Sequence, residues 1–309
     1  SFKAHGRFNL PNSLYIRKER GQYYVSFCYD NGKPEAASDA DNLAMLAGSS
    51  RAWLEENTIG VDRGVAVPVY AGDNAYDYSH QQKAHIDRAG RYIKRLQRRL
   101  SRQQKGSNRR NKTKHRLSCY HAQRGNIRTD FAHQTSRKLV NDARVIIFEA
   151  LKTQRMTKKA APKQDENGRY LPNRKKAKSG LNASILNVGW HRIEAFTRYK
   201  AKAEGKACFR IPAAYTSQEC AVCGHIHPDN RKTQSAFVCV SCGHSDNADH
   251  NAALVIKKRG INAILHPGTG LINDNELVTG RQITGSKTRK AKSPTRTRST
   301  VKKEDLRAN

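Results

Sequence analysis

The chain has 309 residues, of which 37% are hydrophobic, and a formal net charge of +32. That excess goes well beyond what solubility requires and points to a polyanionic partner. No apolar run is long enough to span a bilayer, and there is no signal peptide or lipidation motif, so membrane attachment is not expected. The chain opens on Ser1 rather than Met, which makes a fragment or a processed product the expectation.

Residues 13–30 alternate Leu14 and Ile16 on one arm with Tyr23, Val25, Phe27 and Tyr29 on the other, and Gly21 stands near the turn. This predicts a β-hairpin, too small to be stable alone and therefore an edge of something larger. Residues 31–57 are acidic and Ala-rich and predict a linker with some helix. The stretch 58–70, TIGVDRGVAVPVY, predicts two strands around a Gly-containing turn. Over 83–117, Ile86, Ala89, Ile93, Leu96 and Leu100 form one helical stripe. Arg91, Arg95, Arg98 and Arg102 lie together on another face. Beyond Gly106 the sequence stays basic and loses the stripe.

A helix is expected over 131–142, then a buried strand, Val145 to Phe148, closing on Glu149. Residues 152–181 hold Gly, Pro, Asn and many cations without periodicity, and read as a mobile basic loop. Leu186, Trp190, Ile193 and Phe196 predict an amphipathic helix over 183–205, stopped by Gly205. A short strand leads into the cysteine region, and a helix follows at 252–259. From about 267 the Gly-, Thr-, Ser-, Lys- and Arg-rich sequence is expected to be disordered.

Seven cysteines are present, and four fall into two pairs, Cys220-x-x-Cys223 and Cys239-x-x-Cys242, fifteen residues apart. Each pair is followed by Gly. Close pairs, an odd total and no signal peptide suit a reducing compartment and metal binding better than disulfides. Two such knuckles can place four thiolates tetrahedrally about one Zn²⁺. A full thiolate shell leaves no open position for substrate, so that zinc is structural. His225, His227 or His244 could stand in for one thiolate.

Zinc does not account for the neighbouring Asp246 and Asp249. In this acid-poor chain, Asp62 sits inside an apolar strand, Glu149 closes the most apolar one, and Asp249 starts a helix. Singly, Asp62 could cap a turn, Glu149 could pair with an Arg, and Asp249 could be an N-cap. Brought together, three carboxylates make a Mg²⁺ site able to cleave phosphodiesters.

GVDRGV around Asp62, FEAL around Glu149 and DHNAA from Asp249 resemble the three RuvC motifs of TnpB, the OrfB-type protein of bacterial insertion sequences. YTSQECAVCGH, at 215–225, resembles that family's zinc ribbon, and the resemblance extends over roughly residues 10–260. It implies an α/β, RNase H-like (RuvC) mixed sheet with an inserted zinc ribbon and the remnant of an N-terminal β-barrel. The corresponding segments are 1–57, the end of the barrel and a linker; 58–213, the nuclease domain with basic helices; 214–245, the ribbon; 246–262, the third motif; and 263–309, a basic tail.

The resemblance further implies an RNA-guided DNA endonuclease related to the type V CRISPR effectors. Its partners would be a guide RNA from the transposon end and target DNA, in a cytoplasmic, nucleoid-associated setting. Asp62 would bridge two Mg²⁺ ions, Glu149 and Asp249 would hold one each, and Arg91, Arg95, Arg98 and Arg102 would contact backbone phosphates. The chain departs from the family in two ways. Ala248 stands where many relatives carry Arg, and the longer N-terminal region of the relatives is represented only by the hairpin. Two rival classes are a nuclease-inactive guided repressor, which loss of an acid would favour, and a strand-transfer transposase, against which the ribbon argues.

Overall fold

In the computed structural model, residues 11–19, 22–30, 32, 35–268 and 270–272 are described. The hairpin consists of β1 (Ser13–Glu19) and β2 (Gln22–Cys28), with Leu14 opposite Phe27 and Ile16 opposite Val25. Gly21 and the residues from 273 onward lie outside the described residues, and the start of the tail expected to be disordered from about 267 is instead docked, with Leu271 buried and the Ile272 nitrogen donating to the Arg210 carbonyl at 2.8 Å. Most hairpin side chains are exposed, Leu14 and Ile16 included. Among the described residues the two strands pair only with each other.

The segment read as a linker with some helix does hold helix, α1 (Asp39–Ala47) and α2 (Arg51–Asn57), but these helices belong to the core rather than to a linker. Ser38 and Asp41 close a capping box at the start of α1, which satisfies two otherwise orphaned backbone donors. Leu46 and Leu54 are buried with Ile256 and Ile264 in one core cluster. Two apolar anchors set among acids and alanines give too weak a period to be read as core-forming helices.

A five-stranded mixed sheet organises the centre, in the order β5-β4-β3-β6-β9. It comprises β3 (Thr58–Asp62), β4 (Val69–Ala71), β5 (Asn74–Tyr76), β6 (Val145–Glu149) and β9 (Ala207–Ile211). β3, β6 and β9 are parallel, while β4 and β5 run antiparallel on the β3 side. Between β5 and β6 lie α3 (His80–Ser101) and α4 (Asn108–Asp142). Ser107 caps α4, and its 35 residues run without a break through the stretch that loses its apolar stripe. That part of α4 packs on α3 through polar and aromatic groups, with Thr113 buried, Arg110 bonded to the Gln103 carbonyl and Tyr120 stacked on Tyr92, so its sequence carries no apolar stripe to read.

Between β6 and β9 the expected loop holds α5 (Thr153–Met156), β7 (Lys163–Gln164), β8 (Tyr170–Leu171) and the start of α6 (Lys175–Val188). The amphipathic helix expected over 183–205 is two helices, α6 and α7 (Trp190–Ala203), divided at Gly189, whose φ is 78°. The apolar spacing in the sequence runs across the break and hides it, but Leu186, expected on the buried face, is exposed, and α6 buries Ile185 and Val188 in its place.

Alternate residues of the parallel strands face two layers. Ile146, Phe148 and Cys208 pack with Phe131 and Leu139 of α4 and Ile193 of α7. Val145, Ile147 and Phe209 pack with Ile256 and Ile261 of α8 (Ala248–Leu265), which covers the opposite face. α8 lies against β3 so closely that a Cβ on Gly60 would fall 2.1 Å from the Ala253 carbonyl oxygen and 2.5 Å from the Lys257 nitrogen. This close approach brings the first turn of α8 over the C-terminal end of β3.

Candidate functional site

Asp62 and Glu149 end neighbouring parallel strands whose register sets Val61 beside Phe148. Asp249 is the second residue of α8. The cap that could have been Asp249 is Asn247, whose side chain accepts from the Asp249 nitrogen at 2.9 Å. Asp249 is thus free of the capping role and faces the strand ends.

Burial, reinforced by repulsion from Glu149 and Asp249, pushes the Asp62 carboxyl up to about 7. Burial also raises Glu149, against the opposing pull of a hydrogen bond from the buried Thr216 hydroxyl and of nearby arginines. Arg231 approaches Asp249 Oδ1 at 3.2 Å and lowers the protonation tendency of both Asp62 and Glu149. Desolvated like charges of this kind favour protonation or cation binding. The acids repel one another and do not form as tight a group as the cysteines do.

The four cysteines Cys220, Cys223, Cys239 and Cys242 place their sulfurs within 4.8 Å of one another, a group able to hold a metal ion. Sγ of Cys220 is 3.7 Å from that of Cys242, and Sγ of Cys223 is 3.6 Å from that of Cys239. The knuckles are built alike. Cys220 N donates to His225 O at 2.9 Å, and Cys239 N donates to His244 O at 2.8 Å. Backbone N–H groups of Cys242 and Ser241 favour the Cys239 thiolate and draw its thiol down to about 6.

Between the knuckles, β10 (Ala236–Val238) pairs with β11 (Ser245–Asn247). Two fully buried asparagines fix this ribbon. Asn230 donates to the Gln218 and His225 carbonyls and accepts from Val240 N, joining one knuckle to the other. Asn251 accepts from Ala221 N at 2.9 Å and donates to Glu219 O at 2.7 Å. It therefore ties the first knuckle to α8 two residues beyond Asp249.

Arg91, Arg95, Arg98 and Arg102 are all exposed on α3 or at its C-terminal cap. Positions 88–129 contain fifteen Lys and Arg and no Asp or Glu, so most of α3, the turn after it and the first part of α4 are basic. A cleft of about 740 Å³ in its crook is lined by Arg99, Arg109, Lys112 and Arg116.

Sequence reasoning missed Thr216, Arg231, Asn230 and Asn251. The stretch that carries Thr216, YTSQECAVCGH, reads as the start of the zinc ribbon, and nothing in it links Thr216 to Glu149. Arg231 and Asn230 stand in polar surroundings with no periodic signal, and Asn251, within DHNAA, carries no sign of its bonds to the first knuckle.

A family model described as "Probable transposase" (OrfB_IS605) matches residues 26–160, which include Asp62 and Glu149. Another, "Cas12f1-like, TNB domain", matches residues 190–256, which include the four cysteines and Asp249. The chain is 37% identical over 202 residues to "Putative RNA-guided DNA endonuclease InsQ" of Escherichia coli (strain K12), covering 65% of this chain and 48% of that protein. It is 24% identical over 258 residues to "Putative RNA-guided DNA endonuclease" of Streptomyces pristinaespiralis, covering 82% and 54%. Among solved structures, the "mini-RNA-guided endonuclease CRISPR-Cas_phi3" aligns with a TM-score of 0.46 at 14% identity, over 78% of this chain and 50% of that one. The chain spans about half the length of these curated relatives.

Proposed function

Because the chain is related to the OrfB- and TnpB-type proteins of insertion sequences, we propose that it carries the nuclease centre of an RNA-guided DNA endonuclease. The observation that carries this reading is the convergence of Asp62, Glu149 and Asp249 at one end of the sheet. Two of them end adjacent parallel strands, and Glu149 and Asp249 both add to the burial that raises the Asp62 carboxyl. The sheet order, with three parallel strands and two antiparallel ones, supports an RNase H-like domain.

Asp62, Glu149 and Asp249 form an all-oxygen donor set suited to Mg²⁺. They would hold the ion, and the chemistry supplied there would be activation of water and charge stabilisation of a departing 3′-oxygen. The protein's own part is positional. The β3–β6 register holds Asp62 beside Glu149, Thr216 orients the Glu149 carboxylate, and α8 delivers Asp249. Arg231 adds a positive charge on the side of the ribbon.

The cysteines fit structural zinc. Thiolates about 2.3 Å from one Zn²⁺ at tetrahedral angles stand about 3.8 Å apart, close to the 3.6 and 3.7 Å between the pairs. The ribbon, 214–245, is then an insertion that shapes the mouth of a nuclease domain formed by 58–213 and 246–262. The hairpin at the N-terminal side is read as the end of a β-barrel, and its exposed apolar side chains are what such a fragment would present.

Guide RNA and target DNA are the proposed partners, held in part by Arg91, Arg95, Arg98 and Arg102. No helix among the described residues is long and apolar enough to cross a membrane. The reading is tested by supplying the purified chain with guide RNA, matched DNA and Mg²⁺. Guide-dependent cleavage that disappears in Asp249→Ala is expected, and equal cutting by both proteins would overturn it.

A further inference from the structure

Arg63 follows Asp62 directly, and its side chain is only 2% exposed. The residue alternation of β3 sends it to the face of α7, away from Asp62. There its guanidinium donates to the backbone carbonyl of Glu149 and to Glu194 Oε2 at 2.5 Å, and it lies 5.1 Å over the Phe148 ring. Glu194 also receives Arg210 at 3.1 Å and Arg198 at 3.7 Å. Trp190 Nε1 donates to Gly64 O at 2.9 Å. α7 therefore grips both residues that follow Asp62, and through Arg63 it grips the end of β6 as well.

Stability alone does not call for this arrangement. A buried ion pair is often replaceable by apolar groups of similar volume without loss. An apolar side chain cannot bridge a backbone carbonyl on one strand and a carboxylate on a helix. A planar guanidinium does so with two donors in fixed geometry, which a lysine ammonium does not reproduce.

We propose that Arg63, held by Glu194, is a positioning residue that fixes the Glu149 strand end against Asp62, so that the two carboxylates keep the spacing a divalent cation needs. The proposal rests on the metal-centre reading above. Residues that hold a metal's ligands in place typically cost about 10–100-fold in affinity when replaced.

The test is Mn²⁺ titration of the full, zinc-retaining chain by electron paramagnetic resonance, beside urea unfolding of each variant without added Mn²⁺. Arg63→Lys is expected to bind Mn²⁺ at the acids about 10–100-fold more weakly while still melting cooperatively. Glu194→Gln, which keeps an acceptor, is expected to shift in the same direction by less. A purely structural Arg63 would change the unfolding curve and leave the Mn²⁺ isotherm of the folded protein in place, which overturns the proposal. Should Arg63→Lys fail to fold, Glu194→Gln decides, and a wild-type isotherm there overturns it equally. Asp62→Ala separates the two levels. If it binds Mn²⁺ as wild type does, the metal centre itself is refuted and the positioning role falls with it.

Discussion

Arg231, contributed by the ribbon, lies 3.2 Å from Asp249 at the start of α8. One ion pair thus joins the cysteine module to the acid cluster, and Asn251 repeats the connection on the same helix.

Arg231 holds down the protonation of both Asp62 and Glu149. Arg231→Ala removes that counter-charge, so both carboxyls should keep their protons to higher pH. Since protons compete with metal for the same oxygens, the onset of Mn²⁺ binding should move upward in pH. Titrations across pH 5–9, a range chosen to bracket about 7, check this.

Without Mg²⁺, Asp62 titrates near 7 in the folded chain against 3.8 ordinarily. Between those values the folded state holds a proton that the unfolded state has released. Stability is therefore full below about 4 and falls as pH rises through about 7. Asp62→Asn should gain on wild type at pH 8 relative to pH 5, as read from urea unfolding at the two pH values. A constant difference between the proteins would contradict the buried, repelled carboxyl.

Much of the site was legible because its signals are local. The Cys-x-x-Cys spacing and three acids at the ends of apolar segments stand out in a chain with 26 acids against 58 Lys and Arg. What supports them was not. Thr216 meets Glu149 across 67 positions and Arg63 reaches it across 86, pairings that exist only after the strands and helices have packed. The division of α6 from α7 was hidden for another reason. The left-handed turn at Gly189 leaves Leu186 in solvent and buries Ile185 and Val188 instead, a shift of face that the spacing from Leu186 to Trp190 and Ile193 does not show.

Gly60→Ala would drive a Cβ into the backbone of α8. Backbone has little room to give, so a loss of about 2–3 kcal/mol is expected, the upper part of the usual range for overpacking. Urea unfolding measures it. Because α8 carries Asp249, Mn²⁺ affinity should fall as well.

Cys239→Ser should lose one equivalent of zinc by metal analysis. Metal binding in small zinc modules supplies an apparent free energy of about 10–16 kcal/mol, so the ribbon should unfold with it. Wild-type protein purified without chelator and found free of zinc would refute the assignment.

Replacing Arg95 and Arg98 with Ala should weaken binding of all RNA and DNA sequences alike. It should also make the salt dependence of log K shallower, by roughly one for each phosphate that no longer meets an arginine. An unchanged slope would show that this face is only solvated.

The central claim is that Asp62, Glu149 and Asp249 perform metal-dependent phosphodiester cleavage. Its most direct test is Mg²⁺-dependent cleavage of labelled DNA by the guide-loaded chain and by Asp62→Ala, with nucleic-acid binding measured on the same samples. The account predicts cleavage by the wild type, none by Asp62→Ala, and unchanged binding. Cleavage by Asp62→Ala at the wild-type rate would contradict it.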